Sequence, residues 1–274
     1  RQSRGAVIGL VVLLIFVIMS MLAPILSPHD PHKIFADQFS APPIWSGGSS
    51  RHLLGTDDIG RDLLSRLIFG ARVSLGVGLM VVVLSLIVGV TLGALAGYFG
   101  GWVDLLIMRF VDILMSLPSI LLAIVIVAIL GPSLRNGIIA VSIVYLPNFI
   151  RVVRASVMAE KKKSYVDASR CFGASHWRLS VHNILPNCMG PMIVLATLGF
   201  SEGILNVAAL GFLGMGAQPP TPEWGVMLGD AKAYIETAPW LVTLPGLCIL
   251  MVVLAFNLLG DGLRDTLDPK LKGR

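Results

Sequence analysis

At 274 residues the chain is 55% hydrophobic and only 14% charged, with a mean hydropathy of +0.83. Soluble proteins carry about a quarter charged residues, so the composition excludes an ordinary soluble fold and indicates an integral membrane protein. The net charge of +5 bears on membrane orientation before nucleic acid, because Lys and Arg concentrate in cytoplasmic loops.

Charge-poor runs close to the ~20 residues needed to cross hydrocarbon predict six spans, at 6–26, within 73–103, and at 105–130, 137–153, 188–212 and 240–260. The first lacks a small-residue cleavage site and reads as an anchor, not a signal peptide. Because the chain starts at Arg1 without Met, further N-terminal sequence is expected before it. An external segment, 27–72, follows. Within it Thr56 can cap a helix, Asp57 and Asp58 suit the positive helix N-terminus, and Ile59, Leu63, Leu64, Leu67 and Ile68 make one apolar stripe. Asp62 and Arg66, four apart, can pair. One reading is an amphipathic helix on the outer membrane surface. The other is a docking surface for an external protein, with Asp57, Asp58, Arg61 and Asp62 as its contacts.

Span two carries Gly89, Gly93, Gly97 and Gly101 at four-residue intervals, a ridge that admits a close helix neighbour. Span three opens with Asp104, Arg109 and Asp112 and bends at Pro118; Arg109 and Asp112 are spaced for a local ion pair. Span four ends in Arg151 and Arg154, suited to lipid phosphates or the inner interface. A polar island follows, SYVDASRCFGASHWRLSVHNILPN, led by Lys161, Lys162 and Lys163. It reads as helix–turn–helix. Ser164 can cap the first helix with Asp167 completing a capping-box-like pair, Gly173 supplies a left-handed stop, Ser175 can cap the second, and Pro186 suits the first turn of the next span. Two short helices tethered to spans at both ends make a lever. Span five places Glu202 and Asn206 on one helix face deep in an apolar run, a functional candidate by default with a buried structural pair as the alternative. The Gly- and Pro-rich stretch 210–225 reads as irregular backbone at the external mouth of a path.

With both ends inside, fourteen of the 21 Lys and Arg lie on the cytoplasmic side, including Arg1, Arg4, Arg151, Arg154, Lys161, Lys162, Lys163 and the C-terminal cluster. Lys33, Arg51, Arg61, Arg66, Arg72, Arg135 and Lys232 remain outside. The positive-inside rule supports this orientation, which puts the polar island in the cytoplasm.

The order Asp167-Ala168-Ser169, Gly173, Leu185-Pro186 resembles the "EAA" loop of permease subunits of bacterial ABC importers, whose pattern is Glu-Ala-Ala, three residues, Gly, nine residues, Ile-any-Leu-Pro. Asp167, Ser169 and Asn183 depart from it, standing for Glu, Ala and Ile. The words Gly55-Thr56-Asp57, Gly60-Arg61-Asp62 and Ser65-Arg66, the phrase MRFVDILMSLPSILLAI and the ending NLLGDGLRDTLDPKL resemble the peptide-permease branch, in particular the C-type subunit of dipeptide and oligopeptide permeases. Together these motifs run from about Leu54 to Leu271.

The resemblance implies an all-α integral membrane protein of six transmembrane helices with both termini cytoplasmic. Residues 1–26 would be an N-terminal anchor, 27–72 an external segment, and 73–274 a five-helix core of the type I ABC importer permease, with its coupling loop at 160–187. Tyr165, Asp167, Ala168, Ser169, Gly173, Leu185 and Pro186 would couple to an ATPase, and Glu202 and Asn206 would lie on the translocation path. The implied function is half of the path of an ATP-driven importer of short peptides, dipeptides first, in the bacterial inner (cytoplasmic) membrane. Implied partners are a homologous second permease, two ABC ATPase subunits, a periplasmic substrate-binding protein and membrane lipid, without nucleic acid. No cofactor is expected in this chain; ATP and Mg would belong to the ATPases.

Enzyme readings find no support. There is no Gly-x-x-x-x-Gly-Lys-Ser/Thr loop, no His-Glu-x-x-His helix and no Gly-x-Ser-x-Gly elbow. Cys171, His176, His182 and Cys188 match no common zinc spacing, so no metal site is expected in the chain, and the three cysteines fall in cytoplasmic or membrane regions unsuited to disulfides. The alternative function is a secondary transporter with Glu202 and Asn206 as its ion-coupling site.

Overall fold

The computed structural model describes residues 4–267. Arg1, Lys270, Lys272 and Arg274 of the cytoplasmic charge set, and the end of the C-terminal motif, lie outside the described residues. Helices α1 (Arg4–Met21) and α2 (Ala23–Leu26) precede the external segment; α3 (Leu63–Phe99), α4 (Gly101–Met115), α5 (Ser119–Leu130), α6 (Leu134–Glu160), α7 (Ser164–Cys171), α8 (Met189–Phe212), α9 (Trp224–Ala231) and α10 (Trp240–Leu267) follow. No strand occurs among the described residues, only isolated bridges such as Thr56 with Asp62.

Five of these helices are long and apolar enough to cross a membrane, counting α8 with the helical turns that lead into it. The third predicted span differs. Pro118 cannot continue the helix, and α4 and α5 meet at 92°. With a rise of about 1.5 Å per residue, α5 reaches only ~18 Å, short of the ~30 Å hydrocarbon core. Span three is therefore a broken pair.

The bundle centre is α3 against α6. Gly89, Gly93 and Gly97 line the contact: a Cβ added at Gly93 would stand 2.8 Å from the Ile150 carbonyl, and one at Gly97 2.8 Å from that of Arg154. The predicted ridge thus packs within the chain, over three glycines; Gly101 instead turns the chain into α4 with nothing near it. Around this pair α8 packs on α3 and α6, α10 on α8, and α1 on α10 and α3. Only one stripe of α1 is buried, Gly9, Leu13, Phe16 and Ser20, as one face of a peripheral helix requires.

Ion pairs fix α4 to α6 across the bundle. Arg154 holds Asp104 through two N–O contacts of 2.5 and 2.6 Å, and Arg151 lies 3.3 Å from Asp112. This corrects two sequence expectations. Asp112 pairs with Arg151 and not with Arg109, and Arg151 and Arg154 are taken by α4 carboxylates before any lipid phosphate.

The external segment is not a surface helix. The Leu63–Ile68 stripe is the first turns of α3 itself, and Asp62, not Thr56, caps it, accepting from Ser65 N at 2.8 Å. Thr56 is buried and clips the loop, donating to the Gln38 carbonyl (2.6 Å) and accepting from Ala41 N (2.9 Å). Between α8 and α10 the backbone is irregular over 213–223, while 210–212 still belong to α8. Glu223 then caps α9 with both carboxylate oxygens, each 2.9 Å from a backbone N–H, of Gly225 and Val226. Trp224, fully buried, donates to the Leu67 carbonyl at 3.1 Å, locking the start of α9 to α3.

Candidate functional site

Two polar regions interrupt the apolar bundle. The first is the lever. Val166, Leu179 and Ile184 on its inner face are buried with Ala94 and Tyr98 of α3 and Val153 and Val157 of α6. Tyr98 Oη and His176 Nδ1 are 2.8 Å apart, and Lys161 donates to the Tyr98 carbonyl. The lever is thus seated on the ends of the two central spans.

Its helices form as the spacing predicts at two places and not at a third. Gly173 has φ +80°, a left-handed turn with open space around it, and Ser175 Oγ accepts from Arg178 N at 3.3 Å. Ser164 is no cap: Lys163 takes that place without a side-chain bond, and Asp167 instead lies 3.3 Å from Arg170 one turn on. The second lever helix does not end before span five. It runs through a π-helical stretch, Arg178–Ile184, and a 3-10 turn, Leu185–Cys188, into α8. Pro186 lacks an N–H and crowds the carbonyl four residues back; widening the preceding turn absorbs that conflict. Leu185 is half-buried against the lever core and Pro186 exposed.

The departures at Ser169 and Asn183 are partners. Asn183 Nδ2 donates to Ser169 Oγ at 2.9 Å, replacing an apolar contact between the two lever helices by a hydrogen bond. Around it Tyr165 Oη lies 2.7 Å from Glu160 Oε1 and 3.1 Å from the Asn183 carbonyl, and accepts from Asn187 Nδ2 at 3.1 Å. Burial first, and the Glu160 carboxylate second, hold the Tyr165 hydroxyl above its usual range, so it stays protonated and able to donate. Asp167 and Ala168 face outward. So do two side chains that the sequence reading did not single out: Phe172 is 92% exposed and Trp177 72%. Large aromatics held in water at a lever tip mark a contact surface; their position beside Gly173 was the available signal.

The second region lies between α6 and α8. Ser119, Val144, Tyr145, Asn148, Glu202, Leu205 and Asn206 line a cavity of about 210 Å³. Tyr145 donates to Glu202, and Asn206 donates to the Glu202 backbone carbonyl at 2.9 Å. Glu202, Asn148 and Ser119 remain exposed on the open side of the bundle. Glu202 is thus bonded to a neighbouring span on one side, as the structural reading expects, and exposed on the other.

Of the four residues considered for docking outside, Asp57, Arg61 and Asp62 are buried and only Asp58 is half-exposed. Asp57 accepts from Arg61 Nε at 2.6 Å and lies 3.4 Å from Arg66 Nε; Asp62 bonds His52 Nδ1 at 2.8 Å. The expected Asp62–Arg66 pair is replaced by these. Burial, then the neighbouring Asp57 charge, raise the Asp58 carboxyl above the ordinary carboxylate range.

Residues 89–273 match the family model described as the binding-protein-dependent transport system inner membrane component. The chain belongs to that family. Residues 1–43 of the permease match a second model, the N-terminal TM domain of oligopeptide transport permease C. It is 58% identical over 272 residues to the di/tripeptide transport system permease protein DppC of Pseudomonas aeruginosa, covering 99% of this chain and 90% of that one. It is likewise 58% identical over 273 residues to the dipeptide transport system permease protein DppC of Escherichia coli K12, at 99% and 91% coverage. A glutathione transport system permease protein, GsiD of Pectobacterium atrosepticum, is 44% identical over 273 residues, at 99% and 89%. A solved chain of the MetNI methionine ABC transporter, in inward-facing conformations, superimposes with a TM-score of 0.59 at 17% identity, over 75% of this chain and 98% of that one. That likeness confirms the type I importer fold. The permease is a C-type subunit of a peptide-class ABC importer and a multi-pass inner-membrane protein.

Proposed function

We propose that the permease forms half of the translocation path of an ATP-driven importer of short peptides, dipeptides first. The cargo rests on the relatives named for dipeptides at 58% identity. The drive rests on the lever: an inner face buried on α3 and α6, an outer tip of exposed Phe172 and Trp177, and a helical run into α8, the helix that carries Glu202. Two ATPase subunits, which bind ATP and Mg, grip the tip from the cytoplasm. Their closure on ATP pushes the lever, and the spans rock from inward- to outward-open. A homologous second permease covers the open side of the Glu202 cavity, and a periplasmic binding protein delivers the peptide. Both termini lie in the cytoplasm. Glu202, Asn206 and Asn148 offer the path polar groups for a peptide's amide and charged ends; Asp167, Ala168, Ser169, Gly173, Leu185 and Pro186 shape or flank the gripped surface.

The test is to express the tagged chain with its neighbouring transport genes and identify what co-purifies in mild detergent. A second permease and ATPase subunits are expected in stoichiometric amount. Phe172→Ala with Trp177→Ala should release the ATPases and stop uptake while the two permeases stay together. Retention of the ATPases by that double variant would refute the grip. Uptake by the intact system that follows an ion gradient and ignores ATP would instead favour a secondary transporter built on Glu202 and Asn206.

A further inference from the structure

Outside the lever and the cavity, one cluster of metal-ligating side chains stands out among the described residues. His29 follows α2, His52 sits in the external loop, and Asp62 caps α3; one donor atom from each lies within 4.8 Å of the others. Asp62 Oδ1 is 2.8 Å from His52 Nδ1 and 3.7 Å from His29 Nδ1. Donors around a tetrahedral zinc at about 2.0–2.1 Å stand roughly 3.3 Å apart, so small adjustments bring all three atoms onto one ion.

The surroundings are those of a built site. The other Asp62 oxygen, Oδ2, is held by Ser65 N at 2.8 Å and Ser65 Oγ at 2.6 Å, and the same hydroxyl accepts from His29 N at 3.1 Å. Ser65 therefore orients two of the three ligands, as outer-shell partners of metal ligands do. The rings of His29 and His52 lie 4.9 Å apart, each edge-on to Phe35.

Charge and hydrogen bonding both leave the cluster incomplete. The side chains of His52 and Asp62 are 1% exposed, yet no Lys or Arg pairs with Asp62 among the described residues; Asp57 takes both Arg61 and Arg66. Lys33 and Arg51 lie over the Phe35 ring. A buried carboxylate without a counter-charge is costly. His29 Nδ1 is buried and has no hydrogen-bond partner although it faces Asp62 Oδ1. A cation held between them removes both deficits.

We propose that His29, His52 and Asp62 bind a divalent transition-metal ion of the zinc class, clasping the external segment to the top of α3. Two imidazoles and a carboxylate suit zinc, nickel or copper and disfavour magnesium and calcium, which prefer all-oxygen shells. The ion reaches the site past His29, whose side chain is 21% exposed while its two co-ligands are closed off.

The test uses the full chain with a histidine-free tag, expressed with its neighbouring transport genes and purified in mild detergent. The sample is stripped with a chelator, reloaded with Zn²⁺ or Co²⁺, dialysed, and its metal counted against protein. The parent should hold one more ion per chain than His29→Ala or His52→Gln, with His182→Ala indistinguishable from the parent. Cobalt should give visible d–d bands that the two variants lose, and zinc should slow proteolysis after Arg51 in the parent alone. His29→Ala stands at the rim, so loss of metal there with complex assembly intact separates ligation from misfolding. A parent that binds no more metal than the variants overturns the proposal. Metal that survives both His29→Ala and His52→Gln overturns it by placing the ion elsewhere.

Discussion

Where the external segment meets α3, four charges turn inward: Asp57, Arg61, Asp62 and Arg66 are all nearly sealed from solvent and bonded to one another or to histidines. The cytoplasmic lever does the opposite, burying an apolar face on α3 and α6 and leaving Asp167, Phe172 and Trp177 in water. Both are polar insertions between spans, and both read as candidate docking surfaces. Sealed ion pairs hold a fixed shape, because breaking one strands a charge. Open aromatics on a hinged turn contribute little to the isolated chain and much to a contact. On the proposed function, the outer insertion is scaffold and the inner one is handle.

If so, the largest loss of stability should come from outside. Asp57→Ala leaves Arg61 and Arg66 buried without their carboxylate, a defect costing about 3–5 kcal/mol, and should lower the thermal midpoint in detergent more than any lever substitution. A midpoint unchanged by Asp57→Ala would erase the contrast. Next, Gly173→Val should cost about 1–2 kcal/mol of local strain for a left-handed β-branched residue, leave membrane insertion intact and sharply reduce uptake in vesicles. Gly173→Asn, which tolerates that conformation, should be far milder; normal uptake by the Val variant would count heavily against the lever. Smaller still, Ser169→Ala and Asn183→Ile should each weaken the lever by about 1 kcal/mol, the net worth of one hydrogen bond. The double variant should cost less than their sum, because an apolar contact replaces the bond; strict additivity in a denaturation cycle would deny the coupling.

The smallest effect depends on pH. The folded chain raises the Asp58 carboxyl above its unfolded value, so the ionised form burdens the fold above that raised value and the burden lifts as pH falls through it. Asp58→Asn should therefore stabilise slightly at pH 7, with the gain vanishing under acid conditions. A gain that grows on acidification would reverse the assignment.

Local spacing revealed the elements it controls. Uninterrupted apolar runs located the spans, Gly89, Gly93 and Gly97 a packing ridge, Gly173 a left-handed turn and Ser175 a cap. Pairings were misread wherever a nearer partner was on offer. Asp112 sits three residues from Arg109 but meets Arg151, 39 positions on; Asp62 sits four from Arg66 but meets His52. Neighbours in sequence compete with neighbours in space, and only the fold decides which are closer. The Ser169–Asn183 bond was hidden for the same reason: each residue departs from the family pattern, and their relation appears only when the two lever helices close on each other. The sharpness of the α4–α5 break was likewise illegible, since a proline announces a bend and not its angle.

Glu202 stands near the middle of α8 with its carboxylate on the open side of the bundle. Facing acyl chains, such a group costs on the order of 3 kcal/mol on insertion scales. An orphan copy, synthesised faster than whatever covers that side, must tilt the carboxylate toward the headgroups or find the missing surface. If the proposed second permease is what covers that side, the lipid itself polices subunit stoichiometry, through one residue whose comfort depends on company.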